Sequence, residues 1–330
     1  MVQIEVKDIC KSYKTYFKGE KLTTSFKGLF HRKYKMVKAV SNITFSINSG
    51  EILGLVGLNG AGKTTIIKMI SGIVKSDSGS IKILNEDPFT KTNNYRKSVS
   101  LVMGQKGQLD RDLTILDSVK LYSTIYSIDK SVALERSMSM AKELNFDVND
   151  LNKQVRQLSL GQRMKGELIL SFLHLPKIIF LDEPTLGLDF ITQKSIRNYL
   201  KKYTKKYNAS ILLTSHYIND IEDLCDNIYV IDHGKQLYYG SIEQLKLKTP
   251  IPKKIEFRAT PSVITNIEET TNFFVQKNND IYTISFRNDQ MADIIHLLAN
   301  AKEVFNIKFS EDSLDVIIEE LYKELDKSYV

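Results

Sequence analysis

The chain has 330 residues, of which 42% are hydrophobic, and this length favours one large domain accompanied by a smaller one. It contains no run of about 18 apolar residues, which excludes a membrane-spanning helix, and Cys10 and Cys225 lack the spacing of a zinc motif or a disulfide framework. The N-terminus alternates polar and apolar residues where a signal peptide needs a continuous apolar segment, so we expect the chain to stay in the cytoplasm.

The formal net charge of +7 is concentrated in one segment, Phe17 to Lys38. Seven basic residues oppose one acidic residue there, which gives the segment a charge of +6 and leaves the rest of the chain near neutral. An apolar stripe runs through the same segment and comprises Leu22, Phe26, Leu29 and Phe30. The pattern fits a docking element, either for the anionic inner membrane surface or for the cytoplasmic face of a membrane subunit, or else a solvated surface loop. One short basic patch argues against nucleic-acid binding.

Two alternating segments near the N-terminus predict strands. Val2 to Lys7 alternates strictly between polar and apolar residues, and Ala39 to Ile47 carries a similar pattern. We expect the two strands to pair in a small sheet. The basic segment between them is far longer than an ordinary hairpin loop.

The run from Gly57 to Thr65, Gly-Leu-Asn-Gly-Ala-Gly-Lys-Thr-Thr, fits the pattern G-x-x-x-x-G-K-[ST] of a phosphate-binding P-loop. It lies between an apolar strand, Glu51 to Val56, and a helix start at Thr65 to Ile70, which is the context that the motif requires. Its glycines let backbone N–H groups face phosphates, and the helix N-terminus adds a partial positive charge. We expect Lys63 to reach the β- and γ-phosphates of a nucleoside triphosphate, and the Thr64 hydroxyl to bind Mg²⁺.

The rest of the large domain alternates strands with helices, a pattern that predicts a parallel sheet covered on both faces. Residues 113–150 are helical in pattern and interrupt this α/β core. Strands are predicted at 80–84, 99–103, 177–182, 210–214 and 227–231, and a helix at 190–207.

Two prolines, Pro250 and Pro252, interrupt the pattern and suggest a linker at 249–252. Beyond it the sequence predicts a small separate α/β unit. Its strands are expected at 254–259 and 280–286, and its helices at 291–301 and 313–325.

Two adjacent carboxylates, Asp182 and Glu183, follow the apolar strand at 178–181. Asp182 is placed to hold Mg²⁺ through its water shell, and Glu183 to activate an attacking water as a general base. Neighbouring residues on a strand point to opposite sides, so one carboxylate could serve the metal while the other faces the nucleophile. An acidic strand end that enters a turn at Pro184 is the alternative, and the P-loop disfavours it.

The sequence Leu158-Ser159-Leu160-Gly161-Gln162 precedes Asp182 by about 20 residues and heads a helix expected to begin near Arg163. In this order and spacing it resembles the signature sequence of ATP-binding cassette (ABC) ATPases. A serine hydroxyl, a glycine N–H and a helix N-terminus can together form an anion site for a γ-phosphate.

The resemblance spans six motifs over residues 1 to about 245, and it implies further roles. Gln105 matches the Q-loop, Leu186 to Asp189 the D-loop, His216 the switch histidine, and Tyr13 the aromatic residue that stacks on adenine. The implied catalytic residues are Lys63, Gln105, Glu183 and His216, and the implied metal ligands are Thr64, Gln105 and Asp182. The implied nucleotide-binding residues are Tyr13, Gly57, Asn59, Gly60, Ala61, Gly62, Lys63, Thr64, Thr65, Ser159, Gly161, Gln162 and Asp189.

The fold that the resemblance implies is an α/β P-loop NTPase of the RecA-like type. Its parallel-sheet core would carry an antiparallel β subdomain and a helical subdomain at about 106–176. The ATPase domain would comprise residues 1–248, followed by the linker 249–252 and a small C-terminal α/β accessory domain at 253–330.

The implied function is that of an ATP-binding and ATP-hydrolysing subunit of an ABC transporter, with ATP and Mg²⁺ as cofactors. The residues that flank the motifs, together with the basic segment, resemble those of bacterial drug-resistance exporters. The resemblance implies a second ATPase subunit, simplest as a homodimer, and separate transmembrane permease subunits. This chain would then lie at the cytoplasmic face of the membrane and dock on the permease through the surface near Gln105 and the helical block. The alternatives are an importer ATPase or a soluble ABC ATPase in translation or DNA maintenance. The chain has neither the tandem cassettes nor the coiled-coil insertion expected of the soluble types, and no nucleic-acid partner is expected.

Overall fold

The computed structural model describes residues 1–16, 34–104, 107–215, 217–248, 253–271, 273–286, 290–301, 303–310 and 314–328. Most of the basic segment, at 17–33, lies outside the described residues, as do Gln105, His216 and the predicted linker 249–252. Two compact units divide the chain, Met1–Ile242 and Glu243–Val330, so the division comes before the boundary at 248 that the sequence suggested. Within the described ranges, no helix is long and apolar enough to cross a membrane.

The first unit contains nine strands and seven helices among its described residues, in an alternating order along most of its length. They are β1 Val2–Tyr16, β2 Tyr34–Asn48, β3 Ile52–Gly57, α1 Lys63–Ile70, β4 Ser78–Ile83, α2 Asn93–Ser98, β5 Val99–Met103, α3 Ile115–Ile125, α4 Lys130–Glu143, α5 Leu160–Phe172, β6 Ile178–Asp182, α6 Phe190–Tyr207, β7 Ser210–Thr214, α7 Ile218–Leu224, β8 Asn227–Asp232 and β9 Lys235–Ser241.

A six-stranded sheet in the order β5-β6-β7-β3-β8-β9 forms the core of this unit. Its strands are parallel except for β9, which pairs antiparallel with β8. All five residues of β6 and of β7 are buried, as expected of central strands covered on both faces. The predicted parallel sheet is therefore confirmed. Strand β9 was not predicted, because its sequence, KQLYYGS, contains no buried apolar run: each of its residues is exposed or partly exposed.

A second, antiparallel sheet has the order β2-β1-β4, which confirms the predicted pairing of the two N-terminal strands. Both strands are longer than expected, because β1 continues to Tyr16 and β2 begins at Tyr34. Shifts in the β1–β2 register between Val6 and Ser12 explain the difference. Each bulge breaks the period of two, so the sequence pattern ends before the strand does.

The helical block between β5 and β6 contains α3, α4 and α5. Thr114 and Asp117 form a capping box at the start of α3, and Asp129 caps α4. The predicted helical block at 113–150 is thus confirmed as two helices and a short 3₁₀ turn, Val148–Asn152. Helix α5 begins at Leu160, ahead of the expected start near Arg163, because Ser159 and Gln162 form a capping box.

The second unit has the order β-α-β-β-α-β after helix α8 and ends with a further helix. Its antiparallel sheet, in the order β11-β12-β10-β13, has the arrangement of a ferredoxin-like fold. The predicted strands and helices are present, whereas α9, β11 and β13 were not predicted. The elements are α8 Ile242–Lys248, β10 Lys253–Ala259, α9 Pro261–Thr270, β11 Val275–Asn278, β12 Ile281–Phe286, α10 Met291–Asn300, β13 Val304–Ser310 and α11 Leu314–Ser328.

A buried ion pair fixes α6 against α7. The side chains of Arg197 and Asp220 are 6% and 1% exposed, and one guanidinium nitrogen lies 2.6 Å from the carboxylate. Asp220 also accepts hydrogen bonds from the hydroxyls of Thr185 and Ser215. Three protein donors thus replace water around this carboxylate, and all three are needed to offset the cost of burying its charge.

We predict that Arg197→Ala lowers the free energy of unfolding by about 3–5 kcal/mol, because it leaves the Asp220 charge buried without its cation. The measurement is urea denaturation of the full chain. Arg156→Ala is the control: Arg156 pairs with Asp112 in an exposed pair, and its loss should barely move the midpoint. Equal midpoints for the two variants would contradict the prediction.

Candidate functional site

The loop between β3 and α1 has the backbone that phosphate binding needs. Gly60 and Gly62 have φ of +83° and +111°, in the left-handed region that side chains disfavour. A Cβ at Gly62 would also lie 2.6 Å from the carbonyl oxygen of Ala39 on β2. Gly62 must therefore be glycine for two reasons, its own conformation and the close approach of the antiparallel sheet.

This loop encloses a cavity of about 190 Å³ at the N-terminus of α1. Backbone N–H groups at a helix start and the helix dipole favour an anion there. The lining brings together seven residues predicted for the site with two that were not, Ala39 and Leu58. The full lining is Ala39, Leu58, Asn59, Gly60, Gly62, Lys63, Thr64, Thr65 and Glu183.

Lys63 lies folded back on its own loop. Its ammonium donates to the carbonyl oxygens of Gly57 at 2.6 Å and Leu58 at 3.2 Å. Burial lowers the pKa of Lys63, and the nearby carboxylates of Glu183 and Asp182 oppose that shift. The cation is thus held at the cavity by carbonyl groups that a stronger anionic acceptor could replace.

Asp182, at the end of β6, is 8% exposed and accepts two hydroxyl hydrogen bonds. Thr64 Oγ1 donates to one carboxylate oxygen at 3.1 Å, and Thr214 Oγ1 to the other at 2.7 Å. The parallel register pairs Asp182 with Thr214 across β6 and β7, which places the two side chains at one edge of the sheet. Thr64 and Asp182, both predicted metal ligands, are therefore in direct contact.

The oxygen donors of Thr64 and Asp182 fit Mg²⁺, which commonly takes one or two carboxylates together with substrate phosphates and water. The described part of the chain contains no group of three or more His, Cys, Asp or Glu side chains that could hold a metal by itself. A divalent cation at this edge would accordingly depend on phosphate oxygens for part of its coordination.

Glu183 does not lie on the strand, which corrects the expectation that strand alternation separates the two carboxylates. Strand β6 ends at Asp182, and Glu183 has φ of +58°, in the left-handed region. Its N–H donates to the carbonyl oxygen and to the hydroxyl of Thr214, both at 3.1 Å. A non-glycine residue in this conformation costs about 1 kcal/mol or more, so the turn is held by its surroundings. Glu183 is one of the residues that line the phosphate cavity.

Ser159, Gly161, Gln162 and Asp189 form a second cluster, at the N-termini of α5 and α6. Ser159 caps α5, and Gln162 Nε2 donates to Asp150 at 2.6 Å. A Cβ at Gly161 would lie 3.1 Å from the Thr192 hydroxyl. Thr192 in turn donates to Asp189 from its N–H at 2.9 Å and its hydroxyl at 2.8 Å, which lowers the pKa of Asp189.

Two groups of predicted residues are thus assembled separately. Within the described chain, none of the signature cluster lines the P-loop cavity. Tyr13 also lies outside that lining: it is exposed on β1, opposite Val37. Gln105 and His216 belong to the residues that the structure does not describe.

Sequence reasoning missed two residues that shape the site. The Thr214 hydroxyl donates to Asp182 and accepts from the N–H of Glu183. The sequence feature that could have indicated this role is a hydroxyl residue at the end of an apolar strand. Gly104, which directly follows β5, donates its N–H to the Asp182 carbonyl oxygen at 2.8 Å. A Cβ there would lie 2.3 Å from the Glu183 carbonyl oxygen, so only glycine fits.

Comparison with known proteins identifies the family. A family profile described as ABC transporter matches residues 40–186. The ABC transporter ATP-binding protein NatA of Bacillus subtilis is 30% identical over 217 residues, which cover 66% of this chain and 87% of NatA. The chain belongs to the ABC transporter ATP-binding proteins. It is an ATP-binding subunit with the ATPase fold and activity of that family.

Two further matches extend this result. The bacitracin transport ATP-binding protein BcrA of Bacillus licheniformis is 28% identical over 295 residues, which cover 86% of this chain and 92% of BcrA. A solved dimeric cassette in a post-hydrolysis state with ADP and phosphate has a TM-score of 0.61 at 22% identity, covering 72% of this chain and 98% of that one. The structural match establishes the fold. Cassettes of this family dimerise and act with transmembrane subunits.

Proposed function

We propose that two copies of this chain bind two Mg²⁺–ATP between them and hydrolyse ATP to power export through separate membrane subunits. One observation carries the proposal: a single chain forms both the P-loop cavity and the signature cluster, and the two share no residue. Each lies at a helix N-terminus, where backbone N–H groups favour an anion. A second copy would close both, because each chain can offer its signature cluster to the other's P-loop.

The residues of the cavity have distinct roles in this proposal. Lys63 leaves its carbonyl partners for the β- and γ-phosphates, and backbone N–H groups from Gly57 to Thr65 hold the same oxygens. Thr64 and Asp182 would hold Mg²⁺, and the bound cation would supply positive charge beside the phosphates. Glu183 takes the proton of the attacking water.

The second copy contributes Ser159, Gly161 and the N-terminus of α5. Apolar side chains surround this cluster and are exposed in the single chain: Leu160 by 45%, Phe190 by 66% and Ile191 by 76%. Exposed apolar residues that lie together favour an interface. We assign this surface to the homodimer.

The roles of Gln105 and His216, which lie outside the described residues, and of Tyr13 follow from the family resemblance alone. Gln105 would contact Mg²⁺ and the water, and His216 the γ-phosphate. Tyr13 would stack on adenine from its exposed position on β1. The assignment of 1–248 as the ATPase domain and 253–330 as an accessory domain is likewise part of the proposal.

We infer that the chain acts at the cytoplasmic face of the membrane and powers export. The inference rests on the residues that flank the motifs and on the similarity to BcrA, which extends over most of the chain. An importer ATPase remains the nearest alternative, since both kinds share the cassette. Uptake assays with inverted membrane vesicles that contain the copurified membrane subunits distinguish them: ATP-dependent accumulation indicates export, and ATP-dependent release indicates import.

We predict that Glu183→Gln retains ATP binding but lowers turnover by about a hundredfold or more, because it removes the base and leaves Lys63, Thr64 and Asp182 in place. The variant should accumulate as an ATP-bound dimer. Nucleotide binding by fluorescence, ATPase rate and size-exclusion chromatography check the three parts. Turnover within about threefold of the unmodified chain would show that Glu183 is not the base.

We predict that Gly161→Asp abolishes hydrolysis and ATP-dependent dimerisation, because its carboxylate would repel the γ-phosphate bound by the partner. Nucleotide binding to the monomer should be unchanged. Gly161→Ala is the matched control, since its Cβ meets the same Thr192 contact without the charge. Loss of monomer binding in the Asp variant would contradict a site shared between two chains.

We propose that the basic segment from Phe17 to Lys38 contacts the anionic membrane surface. Its described end supports this: Tyr34, Lys35 and Met36 are all exposed on β2. Each basic residue near such a surface contributes about 1 kcal/mol, with strong dependence on salt. We predict that changing Lys27, Arg32, Lys33 and Lys35 to Gln weakens binding to anionic liposomes without changing the basal ATPase rate. Unchanged liposome binding and unchanged assembly with the membrane subunits would leave the surface-loop alternative.

A further inference from the structure

A buried carboxylate on α5 holds the backbone of the segment that follows Gln105. Glu167 is 7% exposed, and its two carboxylate oxygens accept the N–H groups of Gln108 and Leu109, each at 2.9 Å. Both amides lie shortly after residue 105, whereas Glu167 lies two turns along the helix that Ser159 caps. One side chain therefore joins the two segments by two hydrogen bonds.

Gly107 is shaped to this contact. A Cβ added to Gly107 would lie 2.3 Å from Glu167 Oε1, well inside the closest approach of real side chains. The absence of a side chain at Gly107 leaves room for the carboxylate.

The other end of the same segment is attached to the catalytic edge of the sheet. Gly104 donates its N–H to the Asp182 carbonyl oxygen and packs against the Glu183 carbonyl group. Residue 105 is therefore flanked on one side by an attachment to β6 and on the other by an attachment to α5.

The Gln108 side chain extends the contact to two further elements. Its amide nitrogen donates to the Leu101 carbonyl oxygen on β5 at 2.6 Å, and the Tyr122 hydroxyl of α3 donates to its amide oxygen at 3.0 Å. Helices α3 and α5, strand β5 and the segment after residue 105 are thus joined through Glu167 and Gln108.

This arrangement is costly for stability alone. Burial raises the pKa of Glu167, and among the described residues it has no ion pair, although Arg163 lines the same cavity of about 390 Å³. An apolar side chain at a buried position avoids such a cost. The carboxylate instead supplies two directed acceptors, which an apolar residue cannot do.

We propose that Glu167 is a positioning residue that fixes the segment after Gln105 to the signature helix α5. The described part of that segment, at 108–109, and the signature cluster are then held on the same helix. This inference deepens the proposed function and rests on it, because it concerns the two halves of the ATP site.

The first test is Glu167→Gln in the full chain. The variant places an NH₂ group opposite one backbone N–H, so amide hydrogen exchange at 108–109 should accelerate. The kcat for ATP should fall about tenfold with KM within about twofold, because positioning and not binding is lost. Glu135→Gln, an exposed carboxylate of α4, is the matched control and should change neither quantity. Unchanged exchange at 108–109, or a rise in KM that accounts for the lost activity, would overturn the proposal.

The second test separates the contact from a general folding defect. Gly107→Ala should slow turnover about as much as Glu167→Gln, because its methyl group displaces the carboxylate. In a Glu167→Ala background the same Gly107→Ala change should have little additional effect, because the clash is absent. Additive effects would overturn the proposal. Amide exchange reports the contact without any turnover, so failure of the unmodified chain to hydrolyse ATP would contradict the proposed function separately.

Discussion

One buried carboxylate organises the candidate site. Asp182 accepts hydroxyl hydrogen bonds from Thr64 on α1 and Thr214 on β7, and so ties the phosphate-loop helix to two central strands. Removing a carboxylate from water is unfavourable unless its oxygens are satisfied, and the two hydroxyls supply that compensation. Because β3, β6 and β7 are parallel, their carboxyl ends meet at one edge. The phosphate loop, the metal ligand and the turn at Glu183 therefore have to lie together.

The same edge is linked to the signature cluster through a short stretch of chain. Glu183 lines the phosphate cavity, Thr185 donates to the buried Asp220, and Asp189 caps α6 and holds Thr192 against Gly161. Each of these contacts lies within one compact unit. Glu183 at the phosphate cavity and Gly161 in the signature cluster are therefore connected within this unit through the stretch 183–189 and the contacts of Asp189 with Thr192.

Local patterns predicted the elements but not the contacts between them. The apolar runs at 178–182 and 210–214 predicted buried parallel strands correctly, and the Gly-rich spacing located the phosphate loop. Thr214 and Glu167 were missed because their partners lie 32 and 58–59 residues away, and the period of a single sequence reports only on neighbouring turns or strand positions. The end of β1 was missed for a related reason, since its bulges interrupt alternation. The turn at Glu183 could not be predicted, because glutamate rarely adopts a positive φ without tertiary contacts.

Backbone contacts fix the described residues on both sides of 105–106. Gly104 and Leu109 are bound through their backbone N–H groups, one to β6 and one to α5. A Cβ at Gly104 or at Gly107 would lie 2.3 Å from an oxygen atom, so neither position has room for a side chain. The geometry of the described residues on both sides of 105–106 is consequently set by backbone contacts and by Glu167. A change at either glycine should therefore slow ATP turnover, although neither glycine carries a reactive group.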